Sequence, residues 1–478
     1  MFGAYFVNFY TNFDTVFEKK IFDIRCVLLK YALSLRRIII KKSMSYIKRT
    51  IDNVLLDWKT DPDRKPLLIR GARQVGKSST IEQFGKHFEH FVMVNFEKNK
   101  KLSALFDGDL DVLEICLKLS AQFKKPVIAG KTLLFFDEIQ TCPNAIRSLR
   151  YFYEDYPELH VIAAGSLLEF ALEELPVFGV GRIDSLFMYP CSFQEFMLSF
   201  GEELLWNEVC KSSPEKPLFS AFHDKCLEYL KKYLIIGGMP AAVSNFLKYN
   251  DILKVQKTLD SLIQSFQTDF AKYKKRLPAL LLREVLASIV KQAGGKFIYS
   301  KAAETSRYNI KQAVDMLIMA GLVIPVVSSS AYGIPLGAEM NYRKCKMLLL
   351  DTGIFQRLLG LPLSDILFAD DFEVINKDAI AEQFVGLELL KNSSPYMPES
   401  LYFWTRDKEK SHAEVDYLIQ KNEIIVPVEV KSGKSGKMQS MHLFINEKQA
   451  QYGIRTSLEN FCEYDKIKVY PLYAIGNI

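Results

Sequence analysis

The stretch that decides the fold is Gly71-Ala72-Arg73-Gln74-Val75-Gly76-Lys77-Ser78. An apolar run, 67–69, precedes it, and a helix-like segment, 79–88, follows it. A strand, a glycine-containing turn and a helix in this order are typical of a phosphate-binding loop. The backbone N–H groups of such a turn point inward, and the helix adds the positive end of its dipole. The sequence therefore predicts that residues 71–78 bind the phosphates of a nucleotide.

Two side chains of this loop have predicted roles in chemistry. Lys77 is expected to reach the β- and γ-phosphates, and the Ser78 hydroxyl is expected to take a coordination position on Mg²⁺. The predicted ligands are therefore ATP and Mg²⁺.

A second apolar strand, 132–136, ends in two carboxylates, Asp137 and Glu138. A buried parallel strand cannot keep charge in its interior, so acids lie at its carboxyl end, where open α/β sheets bind ligands. Asp137 is predicted to hold Mg²⁺, directly or through water, and Glu138 to orient and deprotonate the attacking water. The same pair also fits the solvated start of a helix, but its place downstream of a phosphate-binding loop favours a hydrolytic site.

Two further residues are candidates for contact with the nucleotide. Ser166 follows the apolar strand 160–164 and could contact the γ-phosphate or the attacking water; it is also a preferred N-cap for a helix, and the two roles are compatible. Arg182 follows a flexible segment with glycines at 179 and 181. Its guanidinium could stabilise the transferring phosphoryl group within the chain or from a neighbouring subunit, or it could be an ordinary surface arginine.

Composition limits the classes of protein. The chain has 478 residues, 49% of them hydrophobic and 25% charged, which predicts a globular protein of about three domains. Residues 1–43 carry eight Lys or Arg against three Asp or Glu, which leaves +1 of the net charge of +6 for the remainder. Bulk charge therefore gives no argument for nucleic-acid binding. No run of eighteen apolar residues occurs, so no membrane insertion is predicted.

The cysteines and histidines exclude two kinds of site. The eight cysteines are dispersed without a C-x-x-C pair, and the six histidines show no H-E-x-x-H spacing. Neither a disulfide framework nor a zinc hydrolase site is indicated. Reduced thiols, and hence a cytoplasmic protein, are expected.

Residues 1–43 are aromatic and basic and stand apart from the rest of the chain. They could form a membrane-surface helix, act as a targeting segment, or lie upstream of the true start at Met44. The last interpretation is favoured, because regular helical spacing begins directly after Met44.

Several motifs together resemble one family. The loop 71–78, the strand end at Asp137 and Glu138, Ser166, Gly181-Arg182 and residues 189–196 look like an AAA+ superfamily ATPase domain of the prokaryotic group fused to a DUF4143 domain. Later segments match further landmarks of this group: 237–240, 351–353, 414–416 and 429–431. The resemblance spans about residues 46 to 434 and leaves the first 43 unmatched. Ser78 and Cys191 depart from the group, which more often has Thr and a small apolar residue there.

The region after the helical segment predicts a winged helix-turn-helix. Three helices, 280–291, 300–306 and 309–320, precede a β-ribbon of strands 322–327 and 346–350. The third helix would be the recognition helix, with the polar side chains of its first turn available to DNA. These side chains are Asn309, Lys311 and Gln312. Winged helices also serve as protein–protein modules, so both DNA contact and protein contact stay open.

The last region predicts a helix, 378–391, and three strands, 401–405, 413–419 and 424–431. Strand alternation places His412, Glu414 and Asp416 on one face, and Glu429 and Lys431 on one face of the next strand. A helix acid, an Asp and a Glu-x-Lys resemble the PD-(D/E)XK nuclease arrangement, in which acids hold Mg²⁺ and the lysine polarises water. The predicted second Mg²⁺ site consists of Glu382, Asp416 and Glu429 with Lys431. The alternative is a solvated hairpin with alternating charges.

The predicted fold is a multidomain α/β protein with a P-loop AAA+ parallel-sheet core. The predicted domains are an N-terminal extension (1–43), the ATPase domain (44–205), a helical lid region (206–278), a winged helix (279–360) and a restriction-endonuclease-like DUF4143 domain (361–478). The predicted function is ATP hydrolysis coupled to C-terminal domains that act on DNA, with homo-oligomerisation open. The alternatives are an ATP-controlled assembly switch without nuclease activity, and a Mg²⁺-dependent nuclease with a regulatory ATPase.

Overall fold

The computed structural model describes residues 46–166, 168–174, 181–273, 277–361, 377–406, 413–433 and 436–478. The predicted extension, 1–43, lies outside the described residues, as do Gly179, Val180 and His412. The chain divides into two compact units, residues 1–47 and 48–478, and the fold described below is that of the second.

Helices make up much of the second unit. Those described are α1 (Ile51–Thr60), α2 (Lys77–Phe84), α3 (Val112–Phe123), α4 (Pro143–Asp155), α5 (Leu168–Glu174), α6 (Phe193–Ser199), α7 (Glu203–Cys210), α8 (Ser220–Ile236), α9 (Pro240–Tyr249), α10 (Ile252–Asp269), α11 (Ala279–Lys291), α12 (Arg307–Met319), α13 (Thr352–Leu358), α14 (Lys377–Lys391) and α15 (Gln439–Lys448). Short 3₁₀ turns lie at Gly85–His87, Lys100–Phe106, Ile139–Thr141, Phe270–Tyr273, Tyr299–Lys301, Leu336–Glu339 and Leu472–Asn477. Among the helices of the described ranges, none combines the length and the apolar character needed to cross a membrane.

The strands of the N-terminal half form a parallel sheet. They are β1 (Leu67–Arg70), β2 (His90–Asn95), β3 (Thr132–Asp137), β4 (His160–Ala164) and β5 (Asp184–Phe187), in the order β2-β3-β4-β1-β5. All four neighbouring pairs are parallel. The strand β1, which leads into the phosphate-binding loop, therefore lies between β4 and β5. The predicted parallel-sheet P-loop core is confirmed.

Burial explains why these segments became strands with helices on the sheet. Every residue of β3 and β4 is buried, so both strands need cover on both faces. Leu134 and Phe136 lie in one apolar cluster with Ile115 of α3 and Leu149 of α4. Register pairs Asp137 with both Asn95 and Ala164, so the carboxyl ends of β2, β3 and β4 lie side by side at one sheet edge.

The C-terminal half contains a mixed sheet. Its strands are β6 (Val323–Ser329), β7 (Met340–Leu349), β8 (Leu401–Thr405), β9 (Glu414–Lys421), β10 (Ile424–Val430), β11 (Gly453–Ser457), β12 (Cys462–Tyr464) and β13 (Ile467–Pro471). Their order is β12-β13-β11-β10-β9-β8-β6-β7. The pairs β6–β8, β10–β11 and β11–β13 are parallel, and the remaining neighbours are antiparallel.

Two features of the C-terminal half differ from the sequence interpretation. The β-ribbon β6–β7 is continuous with the C-terminal sheet through the pairing of Val326 with Leu401, so the predicted division between 279–360 and 361–478 is crossed by a sheet. A free edge of β6 would expose unpaired backbone groups, and β8 satisfies them. The predicted middle helix, 300–306, is a 3₁₀ turn at Tyr299–Lys301.

A buried polar junction joins the two halves. The Asp351 carboxylate, fully buried, accepts the backbone N–H of Gly238 at 2.6 Å and that of Ile354 at 3.0 Å. The carbonyl of Gly238 accepts the N–H of Cys191 at 2.7 Å. The segments 189–196, 237–240 and 351–353, which carry the family resemblance, thus meet at one point. The Asp351 carboxylate is needed at this junction, since a buried N–H without an acceptor is costly.

Candidate nucleotide site and C-terminal acid cluster

The predicted phosphate-binding loop has the local structure that its sequence requires. The strand β1 ends at Arg70, the turn follows, and α2 begins at Lys77. Gly71 has φ +133°, and a Cβ at this position would lie 2.1 Å from the carbonyl oxygen of Met188. A side chain at residue 71 would therefore push the loop away from the strand end beside it.

The Lys77 ammonium lies within the loop. Lys77 is buried, and its Nζ donates to the carbonyl oxygens of Gly71 at 2.8 Å and Ala72 at 2.7 Å. Burial lowers the pKa of Lys77 to about 8, although Glu138 and Asp137 oppose this shift. A phosphate in the loop would favour the charged ammonium.

Oxygen ligands suited to Mg²⁺ meet beside this lysine. The Ser78 hydroxyl donates to Asp137 Oδ1 at 2.9 Å, and the side-chain amide of Asn95 donates to Asp137 Oδ2 at 2.7 Å. Burial raises the pKa of Asp137, and the hydrogen bond from Ser78 acts against this. A hydroxyl and a carboxylate are the kind of ligands that hold Mg²⁺ beside a nucleotide, so these residues fit the predicted metal. Asn95 was missed by the sequence analysis, although its place at the end of an apolar run was a usable signal.

Glu138 lies next to Ser166 at the carboxyl edge of the sheet. Glu138 Oε2 accepts hydrogen bonds from the Gln140 side-chain amide at 2.6 Å and from the Ser166 hydroxyl at 3.1 Å. Gln140 had no distinguishing sequence signal. The arrangement holds the predicted general base in one orientation.

Arg182 lies beside the last turn of α4, which contains Glu154. Its guanidinium forms an ion pair with Glu154, and its side chain is 42% exposed. Contact of Arg182 with a nucleotide stays a prediction.

Residues outside the parallel sheet contact the loop from the helical and C-terminal regions. Arg73 Nη1 lies 2.6 Å from both carboxylate oxygens of Asp269, the last residue of α10. The turn between α12 and β6 also touches the loop, because a Cβ on Gly321 would lie 3.0 Å from the Cβ of Ala72. Gly321 has φ +71°, a backbone conformation that favours glycine. A cavity of about 420 Å³ beside this contact is lined by Ser166 and by Met319.

Arg49 braces the other side of the loop. Its guanidinium donates to the carbonyl of Val75 at 3.0 Å, to that of Tyr189 at 2.7 Å and to Glu195 at 2.8 Å. Glu195 also forms a reciprocal capping box with Ser192 at the start of α6. Sequence reasoning missed Arg49, since its partners are far away along the chain.

The predicted C-terminal acids come together with a lysine that the sequence analysis missed. Lys346 of β7 places its Nζ 2.7 Å from Glu382 of α14 and 2.7 Å from Glu414 of β9. Asp416 lies 3.6 Å from the same nitrogen. Lys431 Nζ donates to Glu429 Oε1 at 2.8 Å. We call these six side chains the C-terminal acid cluster.

This arrangement differs from the predicted second Mg²⁺ site. Within the described ranges, no group of three or more His, Cys, Asp or Glu side chains is arranged to hold a metal ion. Burial raises the pKa of Glu382 and of Glu429 to about 7 in each case. The physical reason for the difference is the Lys346 ammonium, which supplies the positive charge among the acids.

Three family models match separate parts of the chain. An AAA domain matches residues 63–197. A domain of unknown function, DUF8612, matches residues 227–365, and another, DUF4143, matches residues 377–475. No curated protein sequence matches this chain.

Solved structures that match this chain do so at low sequence identity. The Walker-type ATPase PABY2304 of Pyrococcus abyssi is 15% identical with a TM-score of 0.43, over 66% of this chain and 97% of its own. The Orc1 protein of Aeropyrum pernix, solved in complex with DNA, is 14% identical with a TM-score of 0.27, over 70% of this chain and 96% of its own. The Hsp104–ADP complex of S. cerevisiae is 14% identical with a TM-score of 0.27, over 57% of this chain and 38% of its own.

The AAA domain and DUF4143 matches lie in one chain, as the sequence motifs indicated, and the phosphate-binding loop belongs to the first of them. One chain thus carries a match to an AAA domain, at residues 63–197, and a match to DUF4143, at residues 377–475.

Proposed function

We propose that this chain binds ATP with Mg²⁺ at the loop 71–78 and hydrolyses it. The observation that carries the proposal is the 2.9 Å contact between the Ser78 hydroxyl and Asp137, beside the buried Lys77 ammonium. Ser78 and Asp137 would hold Mg²⁺, which neutralises charge on the phosphate oxygens when bound. Lys77 would add a second positive charge on the β- and γ-phosphates.

Glu138 is the proposed general base. Its carboxylate lies at the carboxyl edge of the sheet, where the attacking water would approach the γ-phosphate. Ser166 and Gln140 donate to the same carboxylate oxygen, so they would fix its orientation before the water is deprotonated. Ser166 is thus a positioning residue in this proposal, whereas Arg182 would act on the phosphoryl group from a neighbouring subunit.

We further propose that the nucleotide state is coupled to the C-terminal half through two contacts. One is the ion pair between Arg73 and Asp269, which joins the loop to α10. The other is the approach of Gly321 to Ala72, which places the α12–β6 turn on the loop. A phosphate that rearranges residues 72 and 73 would change both contacts, and one phosphate more or less can order a switch segment.

DNA is the proposed partner of the α12 region. The helices α11 and α12, the bridge between residues 296 and 346, and the ribbon β6–β7 follow one another in winged-helix order. Arg307 and Lys311 are exposed on the first turns of α12, and Arg343 is exposed on β7. These cations support contact with phosphates of a duplex. A protein-binding role of the same surface would leave ATP turnover unchanged by DNA.

The test of nucleotide chemistry compares wild type with Lys77→Ala. Fluorescent ATP binding and steady-state phosphate release, both with Mg²⁺, are measured on the full chain. We expect binding and turnover in wild type and loss of turnover in the variant. A wild-type chain that binds ATP but releases no phosphate would contradict hydrolysis and favour a nucleotide-controlled switch. Light scattering with and without ATP would then test whether ATP controls assembly.

A further inference from the structure

The C-terminal acid cluster contains its own cation. Lys346 is 1% exposed, and its Nζ lies at 2.7 Å from each of two carboxylates, on Glu382 and Glu414. The third acid, Asp416, is 3.6 Å away. One ammonium thus contacts side chains from the helix α14 and the strand β9, as a bound cation would.

The acids are fixed by contacts of their own. The hydroxyl of Tyr417 donates to the backbone carbonyl of Glu382 at 2.7 Å, and the N–H of Val430 donates to Asp416 Oδ2 at 2.9 Å. These hydrogen bonds hold α14, β9 and β10 around one centre. If the Lys346 side chain left this centre, the buried Glu382 carboxylate and the partly exposed Glu414 carboxylate would lose the cation between them.

Glu429 and Glu414 also contact further lysines. Lys431 donates to Glu429 Oε1 at 2.8 Å, and Lys296 lies 3.4 Å from Glu414 Oε2. A divalent cation that entered the centre would lie against the Lys346 ammonium, and Coulomb repulsion at such a distance is strong in a buried site. Metal entry therefore requires that this ammonium be expelled.

We propose that the Lys346 ammonium takes the place of a divalent cation in the C-terminal acid cluster. The cluster is an ion-pair lock that fastens β7 to α14 and β9, and it binds no metal in the wild-type chain. The nuclease-like arrangement of acids is thus kept for its charges, while metal-dependent cleavage is absent from it. β7 leads directly into Asp351, so the lock also holds the strand that enters the junction between the two halves.

The test counts Mn²⁺ ions bound per chain without nucleotide, by electron paramagnetic resonance of free Mn²⁺. The full-length wild type is compared with Asp416→Asn, Lys346→Met and the double variant. We expect wild type and Asp416→Asn to bind equally, Lys346→Met to gain one ion, and the double variant to lose it. Lys346→Arg, which keeps the positive charge, should gain none.

Two results of the Mn²⁺ measurement would overturn the proposal. One is Mn²⁺ binding by wild type that Asp416→Asn removes, and the other is a folded Lys346→Met chain that gains no ion. If Lys346→Met does not fold, the comparison of wild type with Asp416→Asn still decides, because Asn keeps an oxygen for the Val430 N–H. Duplex and single-stranded DNA are then incubated with Mn²⁺ and either wild type or Asp416→Asn, in separate samples. DNA cleavage by wild type that is absent with Asp416→Asn would contradict the lock.

Discussion

Lys77 combines a required positive charge with a buried position. Burial lowers its pKa to about 8, so near pH 8 the nucleotide-free chain holds Lys77 both as the ammonium and as the neutral amine. Binding of a polyanion favours the ammonium, so nucleotide binding should take up a proton. The sign follows from the shift, because the charged form is disfavoured before binding and favoured after it.

The expected result is an uptake of about half a proton per ATP bound at pH 8, and close to none at pH 6.5. Isothermal calorimetry in two buffers with different ionisation enthalpies measures it directly. ATP affinity should accordingly fall as the pH rises above 8. Equal proton uptake at both values of pH would show that the pKa of Lys77 does not lie near 8 in the nucleotide-free chain.

Residues of this site differ in how far the sequence predicts them. Lys77, Asp137 and Glu138 follow from motif spacing, because each lies at the end or start of an element with a strong apolar pattern. Gln140 does not, because it lies outside the motif although it is only two residues from Glu138. Lys346 of the C-terminal acid cluster does not, because its partners come from a distant helix and a distant strand. A lysine at the start of the apolar run 346–350 gives no hint that three carboxylates surround it.

At the scale of elements, Asp351 is the N-cap of α13, and it also accepts the N–H of Gly238. Replacement by Ala would leave that buried N–H without an acceptor and remove the cap. Each loss costs about 1–2 kcal/mol. We expect Asp351→Ala to lower the thermal unfolding midpoint by several degrees, as followed by circular dichroism.

Asp351→Asn is the matched variant, because its amide oxygen still accepts one hydrogen bond. Its midpoint should lie between those of wild type and the Ala variant. Asp63→Ala, at an exposed position, controls for loss of an acid. A midpoint of Asp351→Ala equal to that of Asp63→Ala would mean that the junction contributes nothing to stability.

Elements with strong local patterns were predictable, and pairings between distant elements were not. The strands 132–137 and 160–164 are buried at every position. Burial on both faces requires nearly continuous apolar residues, and this pattern predicts a strand from the sequence. The sequence also predicted the ribbon β6–β7. It did not predict the pairing of β6 with β8, since strands that are far apart in sequence leave no periodic signal of their pairing. The segment 300–306 has turn-forming polar residues beside its apolar ones, which permits a 3₁₀ turn in place of a helix.

At the scale of the molecule, the proposed coupling predicts where nucleotide binding is felt. ATP should slow amide hydrogen exchange in the loop 71–78 and also at the end of α10 and at the α12–β6 turn. The physical reason is that Arg73 and Ala72 contact those two elements. Exchange with mass spectrometry on full-length Glu138→Gln, with and without Mg-ATP, measures all three segments.

Asp269→Asn controls this prediction, because it weakens the ion pair with Arg73 and leaves the loop sequence intact. The change at α10 should shrink in this variant while protection of the loop remains. Nucleotide effects confined to residues 71–96 in the Glu138→Gln chain would contradict coupling through these contacts, without touching the proposal for the nucleotide site itself.

Hydrolysis of ATP at the sheet edge around Asp137 and Glu138 can be tested with the Glu138→Gln variant. Phosphate release is followed for wild type and Glu138→Gln at saturating Mg-ATP, with and without duplex DNA, and ATP binding is measured on the same samples. We expect unchanged binding and a loss of turnover of about 10²–10⁴-fold in the variant, since general-base catalysis has this size. Equal turnover by the two chains would mean that Glu138 is not the general base.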